Sequence, residues 1–420
     1  MKSVLVICYS FPPNAGVGGR RWAKFAKCLA KNNHKLHVIS NLNKSPKVSE
    51  WIDDVNNINI INYPQNVFYP EVFISNPVTI FQKISYRFWL LFFKLFSKGT
   101  FYDRSFFWSK TVQKNVKEII VNNNIKNLIV TGPPFRLLYF TAKLKEQFPD
   151  LNLIVDFRDP WTDNTSFLGF DCLSEKRMNF EKKMEAFVIK NANHVISAND
   201  YLTEIFKKKY PHVSAKFSTI INGYDKGELP LNVAHKNNES NSELNFVLAG
   251  TLYSDLEYVI KPFLNYLKNL ETTNTSFSKK LNFHFYGQID SKIGKLINTF
   301  SLRSIQIHGF KPLALVKEKL SNADFCFLFT TPNHASNFNT KFYEYISMKK
   351  PIIHFSNDGD ISRFLVDNNL GFAVRPNSFN DDFNLILHKI STNTINFNKT
   401  YDSNTFEVSY LTSQVQKLLK

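Results

Sequence analysis

Cysteine is scarce in this sequence: four in 420 residues, Cys8, Cys28, Cys172 and Cys326. None forms a CxxC motif and none stands with histidine at zinc-ligand spacing. That argues against a zinc ribbon and against a disulfide framework. Three of the four lie in apolar periodic runs and read as buried, reduced thiols. Acidic residues are also short, 35 Asp and Glu against 52 Lys and Arg, which leaves a formal net charge of +17. Such a balance asks for an anionic partner: nucleic acid, a membrane surface, or a phosphate-bearing substrate. The cations are scattered, and zinc-finger and RNA-recognition signatures are missing, so no nucleic-acid partner is expected. The run Met1–Tyr9 lacks a small-residue cleavage site and reads as a buried first strand, not a signal peptide. The expected compartment is therefore the cytoplasm, where the sequon Asn164-Thr165-Ser166 carries no meaning for glycosylation.

What is present is length enough for two domains and an ordinary hydrophobic content of 43%. Short apolar strands alternate with helical segments. Strands are expected at Val4–Tyr9, Lys35–Ser40, Leu128–Thr131, Leu153–Phe157, His194–Ser197 and Ser218–Ile221, with a helix over Arg21–Asn32. A second series is expected at Asn245–Ala249, Asn282–Tyr286, Ile305–His308, Ala323–Phe329 and Pro351–Phe355. Near-continuous apolar strands separated by helices mean parallel sheets covered on both faces. The polar stretch His235–Glu243 reads as a linker. The expected domains are residues 1–230 and 231–403, followed by a terminal helix, Asn404–Leu419, within 404–420.

Val78–Ser97 departs from this pattern. It is densely aromatic and aliphatic, but Lys83, Arg87 and Lys94 interrupt it. Three cations in about 20 residues make a poor membrane span. They suit a helix lying in the interface of an anionic membrane. The alternative is a helix packed on the sheet or on a second subunit.

Six segments carry candidate chemistry. Ser10–Arg21 follows the first strand with Gly16, Gly18, Gly19 and Arg20, a loop that lets backbone N–H groups meet an anion at a helix start. Its spacing is neither a P-loop nor GxGxxG, so neither ATP hydrolysis nor NAD binding follows. Thr131–Phe135 and the string Asp156-Phe157-Arg158-Asp159-Pro160-Trp161 both end strands at the ligand edge of an open sheet. Charges clustered there need substrate or one another, so an internal Arg–Asp pair is the alternative. Gly250-Thr251 ends a strand of the second half, and His308-Gly309 ends the next. Asn339–Ile353 is a helix with Lys341 and Glu344 in its first turns, running into a Pro-led strand. Asp358-Gly359-Asp360 precedes a helix, Ile361–Asn368, and Asp360 is expected as its N-cap rather than a metal ligand.

The segment Thr340-Lys341-Phe342-Tyr343-Glu344-Tyr345 resembles the donor-binding helix of glycosyltransferase family GT4. The order of the other motifs resembles that family over nearly the whole chain. The resemblance implies a GT-B fold: an α/β chain with two Rossmann-like, doubly wound domains, the first for the acceptor and the second for a nucleotide sugar. It implies donor contacts from Gly16, Gly18, Gly19, Arg20, Gly250, Thr251, His308, Thr340, Lys341 and Glu344, with Glu344 on the ribose hydroxyls. As catalytic candidates, Arg158 is expected to contact phosphate or acceptor and Asp159 to orient or deprotonate the acceptor hydroxyl. Where many members have an Arg, this chain has Thr251, and where the family has a first Glu, it has Ser336. The implied reaction is retaining sugar transfer from a nucleoside diphosphate, without a metal or other cofactor. The expected acceptor is a lipid-linked saccharide or oligosaccharide at the inner face of the cytoplasmic membrane, in capsule, exopolysaccharide or O-antigen synthesis. A nucleotide-sugar epimerase and a non-catalytic scaffold of the same fold are the alternatives.

Overall fold

A computed structural model describes all residues except 1, 16, 43–46, 74–78, 165–168, 171–172, 231–242, 333–334 and 336. Gly16, Cys172, Ser336, Val78 and nearly all of the expected linker lie outside the described residues. The chain divides into two units: Met1–Ile221 with Val408–Lys420, and Asn222–Glu407.

The first unit holds β1 (Ser3–Ile7), α1 (Arg20–Lys31), β2 (Lys35–Asn41), β3 (Ile60–Gln65), α2 (Ile80–Phe96), α3 (Ser109–Asn122), β4 (Asn127–Gly132), α4 (Phe135–Ala142), β5 (Asn152–Phe157), α5 (Glu175–Asn191), β6 (His194–Ser197), α6 (Asp200–Lys209) and β7 (Phe217–Thr219). All its strand pairs are parallel, in the order β3-β2-β1-β4-β5-β6-β7. The central strands β4 and β5 are buried at every position. That is why they read as continuous apolar runs rather than alternating ones. Trp22, Phe25 and Leu29 of α1 pack with Val4, Val6 and Val38 on one face, and Trp108, Val112 and Val116 pack with Leu5, Leu128 and Val130 on the other.

The second unit holds β8 (Leu244–Ala249), α7 (Glu257–Thr273), α8 (Thr275–Ser278), β9 (Leu281–Tyr286), α9 (Ser291–Phe300), β10 (Ile305–Gly309), α10 (Leu313–Ser321), β11 (Phe325–Phe329), α11 (Thr340–Ser347), β12 (Ile352–Phe355), α12 (Asp360–Asp367), β13 (Gly371–Val374) and α13 (Phe379–Ser391). Its parallel sheet runs β10-β9-β8-β11-β12-β13. In both sheets the strand order reverses beside the first strand of the unit, between β1 and β4 and between β8 and β11. Ligands of open α/β sheets bind at that switch point, beyond the carboxyl ends of the strands.

The differences from expectation lie at edges and ends. β3 and β13 were not expected. β3 is an edge strand whose residues are only partly buried, and it contains Pro64, which only an edge tolerates. β13 is four residues long and opens on Gly371. The terminal helix is shorter than expected: α14 (Val408–Lys417) follows a separate 3-10 turn at Asn404–Phe406, because Glu407 is extended with ψ 139°. Asp360 is the first helical residue of α12 and not its cap; Gly359 takes that place, and Asp360 pairs with Arg363. Cys8 and Cys326 are buried as expected, whereas Cys28 is half-buried.

Candidate functional site

In the second unit the site is built on α11. Phe342, Tyr343, Tyr345 and Ile346 face the core, and Asn339 caps the helix by accepting a hydrogen bond from the Phe342 N–H at 3.1 Å. Tyr345 is fully buried, and its hydroxyl accepts a hydrogen bond from the Ala249 N–H at 3.0 Å. This ties the helix to the end of β8. Burial pushes the Tyr345 phenol well above its ordinary pKa, so it stays a neutral strut.

With the helix pinned, Lys341 and Glu344 fall on the opposite face. Lys341 reaches across to Gly250, the first residue after β8. A Cβ placed on Gly250 would lie 2.1 Å from Lys341 Cε and 2.4 Å from Nζ. Gly250 has φ +129°, which side-chain-bearing residues rarely adopt. Its own N–H donates to the Tyr286 carbonyl at 2.7 Å, and Gly287 (φ +121°) packs on its carbonyl, where a Cβ would come within 2.4 Å. The result is a bare backbone turn at the carboxyl end of β8 with an ammonium above it. The Lys341 ammonium has no hydrogen-bond or ion-pair partner among the described residues. Desolvation lowers its pKa to about 8, against the opposing pull of Glu344.

Glu344 is engaged differently. Its carboxylate lies 2.8 Å from the Nζ of Lys317, a buried lysine of α10, and Glu228 stands 3.8 Å from the same ammonium. Nothing in the sequence marks Lys317, since it comes from another helix far upstream. Thr251 and Thr340 are half-buried beside this turn and at the start of α11. His308 is half-buried, stacked on Tyr286 at 4.3 Å between ring centroids, with Nε2 3.0 Å from His284 Nδ1. Its ring is part of a stacked row on β9 and β10.

In the first unit, Gly18 and Gly19 form a 3-10 turn ahead of α1. Gly19 lies so close to Ser10 that a Cβ would be 2.1 Å from its carbonyl oxygen. Arg20 is buried at the start of α1. Arg158 donates to the carbonyls of Gly18, Gly132 and Pro133, which locks together the loops after β1, β4 and β5. Asp159 is half-buried in the same turn. Asp156 is paired with Arg21, whose Nε and Nη2 meet the carboxylate at 3.1 and 3.0 Å, while Trp22 Nε1 and Thr131 Oγ1 donate to it at 2.7 and 2.8 Å. Trp161 is fully buried, donating to Glu181 at 2.8 Å.

No protein-family model matches the chain, and no curated protein matches it in sequence. Solved structures match it along its whole length. The sucrose-phosphate synthase of Thermosynechococcus elongatus superposes with a TM-score of 0.65 at 13% identity, over 100% of this chain and 98% of that one. WaaG, a glycosyltransferase involved in lipopolysaccharide biosynthesis, gives 0.57 at 14% identity, over 99% of each chain. A trehalose-6-phosphate protein from E. coli bound with UDP-2-fluoro glucose gives 0.56 at 11% identity, again over 99% of each. With two parallel sheets of the same build, the chain has the GT-B fold.

Proposed function

We propose that this chain is a retaining glycosyltransferase of the GT4 type. It moves a hexose-type sugar from a nucleoside diphosphate to a hydroxyl of a lipid-linked saccharide in capsule, exopolysaccharide or O-antigen synthesis. The observation that carries the proposal is the Lys341 ammonium, without a hydrogen-bond or ion-pair partner among the described residues, over the bare turn at Gly250, at the switch point of the second sheet. An ammonium over a turn without a side chain at that position fits a diphosphate. Glu344, one helical turn on and held by Lys317, fits the ribose hydroxyls. The GT-B fold and a structural neighbour bound with UDP-2-fluoro glucose support the same reading.

In this scheme Lys341 and the start of α11 stabilise charge on the leaving diphosphate, a task that needs no metal. Thr251, Thr340 and His308 border the donor. Gly16, Gly18, Gly19 and Arg20 of the first unit are further proposed donor contacts. Arg158 holds the acceptor loops in register and Asp159 orients the acceptor hydroxyl. The exposed apolar and cationic surface of α2 supports a seat on the anionic inner face of the cytoplasmic membrane. No helix among the described residues is long and apolar enough to cross a membrane.

The test is a thermal-shift panel with UDP, GDP, ADP and CMP, with and without EDTA, on wild type and Glu344→Ala. A nucleotide at about 100 times its dissociation constant stabilises by roughly 2.7 kcal/mol. The expected result is a shift with one diphosphate, indifferent to EDTA and lost in Glu344→Ala. No shift with any nucleotide would leave the scaffold reading. A nucleotide sugar converted without an acceptor would identify an epimerase instead.

A further inference from the structure

We infer that a pocket in the first unit binds a saccharide carried on a lipid phosphate: sugar ring inside, phosphate at Arg104, tail along α2. This names the acceptor of the transfer reading above and rests on it.

The pocket encloses about 150 Å³ at the carboxyl edge of the first sheet. Tyr9 lines it from the end of β1, Phe135 from the start of α4, and Arg158 from the end of β5. Tyr102 and Phe170 close it from connecting segments. Aromatic walls with a few polar groups suit the apolar faces and hydroxyl rim of a pyranose ring. Arg104, also lining the pocket, is exposed and has no hydrogen-bond or ion-pair partner among the described residues. The neighbouring carboxylate does not neutralise it by contact. Asp103 is buried and accepts from the backbone N–H groups of Ser105 and Arg136, both at 2.9 Å. An unpaired guanidinium at a pocket mouth is a receptor for a phosphate.

The third observation is the helix that precedes the pocket wall in the chain. On α2, Phe81, Ile84, Phe88, Leu91 and Leu95 are each more than half exposed and recur at alternating spacings of three and four. They make one apolar stripe. Lys83, Arg87 and Lys94, also exposed, run beside it. The helix passes into the pocket wall through residues 97–104, and that connector is clamped. Arg177 donates to the carbonyls of Lys94, Ser97 and Gly99 at 2.6, 2.6 and 2.9 Å. Glu181 accepts from the Thr100 N–H at 2.6 Å, and Tyr86 of α2 shares a hydrogen bond with Tyr102 at 2.9 Å. The helix that carries the apolar stripe is therefore tied by hydrogen bonds to the wall of the pocket.

The test is calorimetric titration of the full chain with three soluble amphiphiles below their micelle concentrations: the decyl ester of glucose 1-phosphate, decyl glucoside, and decyl phosphate. The phosphate ester should bind about tenfold or more tightly than either control, as a charge-assisted contact added to a ring contact predicts. Arg104→Ala should erase the advantage over decyl glucoside, and Arg104→Lys should restore part of it. Equal affinity for all three compounds, or a preference that survives in Arg104→Ala, overturns the assignment. A UDP and GDP thermal shift on the same samples separates the two readings. Nucleotide binding without amphiphile preference removes the pocket assignment alone. Amphiphile preference without nucleotide binding leaves the pocket standing and removes the transfer reading.

Discussion

The ammonium of Lys341 occupies the space that a methyl group on Gly250 would fill, 2.4 Å from where that carbon would sit. Gly250→Ala is therefore expected to do two things. It forces a side chain into φ +129°, at a cost on the order of 1–3 kcal/mol, and it pushes Lys341 off the turn. Urea unfolding should show the first effect and nucleotide titration the second. An alanine variant with unchanged nucleotide affinity would remove the Gly250–Lys341 pair from the donor site.

The lowered pKa of Lys341, about 8, sets a pH dependence. The protonated form binds an anion, and a bound anion favours that form and raises the pKa. Nucleotide affinity should thus be flat below the free-state value and fall as pH rises through about 8, by at most about tenfold per unit for one proton. Titration between about pH 7 and 9.5 checks the slope. Lys341→Met should lose affinity on the order of 1.5–3 kcal/mol and with it the pH dependence. A slope unchanged in Lys341→Met would assign the proton to another group.

Asp156 is buried at the end of β5 and serves Arg21, Trp22 and Thr131 together. Asp156→Ala strands the buried Arg21 guanidinium, so a loss of about 3–5 kcal/mol is expected. Denaturant unfolding measures it. A loss below about 1 kcal/mol would mean that Arg21 finds other acceptors, with the carbonyls of Ile220 and Ile221 already within its reach at 2.6 and 2.8 Å.

The cations of α2 are exposed, so removing their charge should spare the fold. Each Lys or Arg near an anionic bilayer contributes about 1 kcal/mol. Neutralising Lys83, Arg87 and Lys94 together to Gln should cut partitioning onto vesicles containing phosphatidylglycerol by about a hundredfold. Sedimentation with vesicles reads this directly. Binding by wild type should weaken with added salt, as exposed charges are screened. Equal partitioning onto neutral and anionic vesicles would leave α2 without an electrostatic role.

What the sequence discloses depends on how burial shapes it. β4 and β5 are buried on both faces and announce themselves as apolar runs. β3 and β13 are edge strands with weaker patterns, and Pro64 and Gly371 disguise them further. Within the site, Lys341 and Glu344 are legible because one short helix carries both. Lys317 is not, because its link to Glu344 is made by tertiary packing between α10 and α11. The cluster Asp156–Trp161 was legible as charge at a strand end, but its partner was not: Arg21 arrives from α1, across 135 positions of sequence. Asp360 misleads for a local reason, since the helix begins one residue earlier than its pattern suggests.

The helix α14 belongs to the first unit although the whole second unit intervenes in the chain. Val408, Leu411, Val415 and Leu419 fill the same core as Trp22 and Leu29, and Asn127 and Asn152 hold the backbone at Leu418 and Lys420. During synthesis, residues 222–407 are therefore made while that core still lacks a wall. The nascent first unit must wait with an open apolar face on α1 until the second unit has emerged, so a fragment ending near residue 221 should be sticky and unstable, and stop codons in the second unit should cost both units at once.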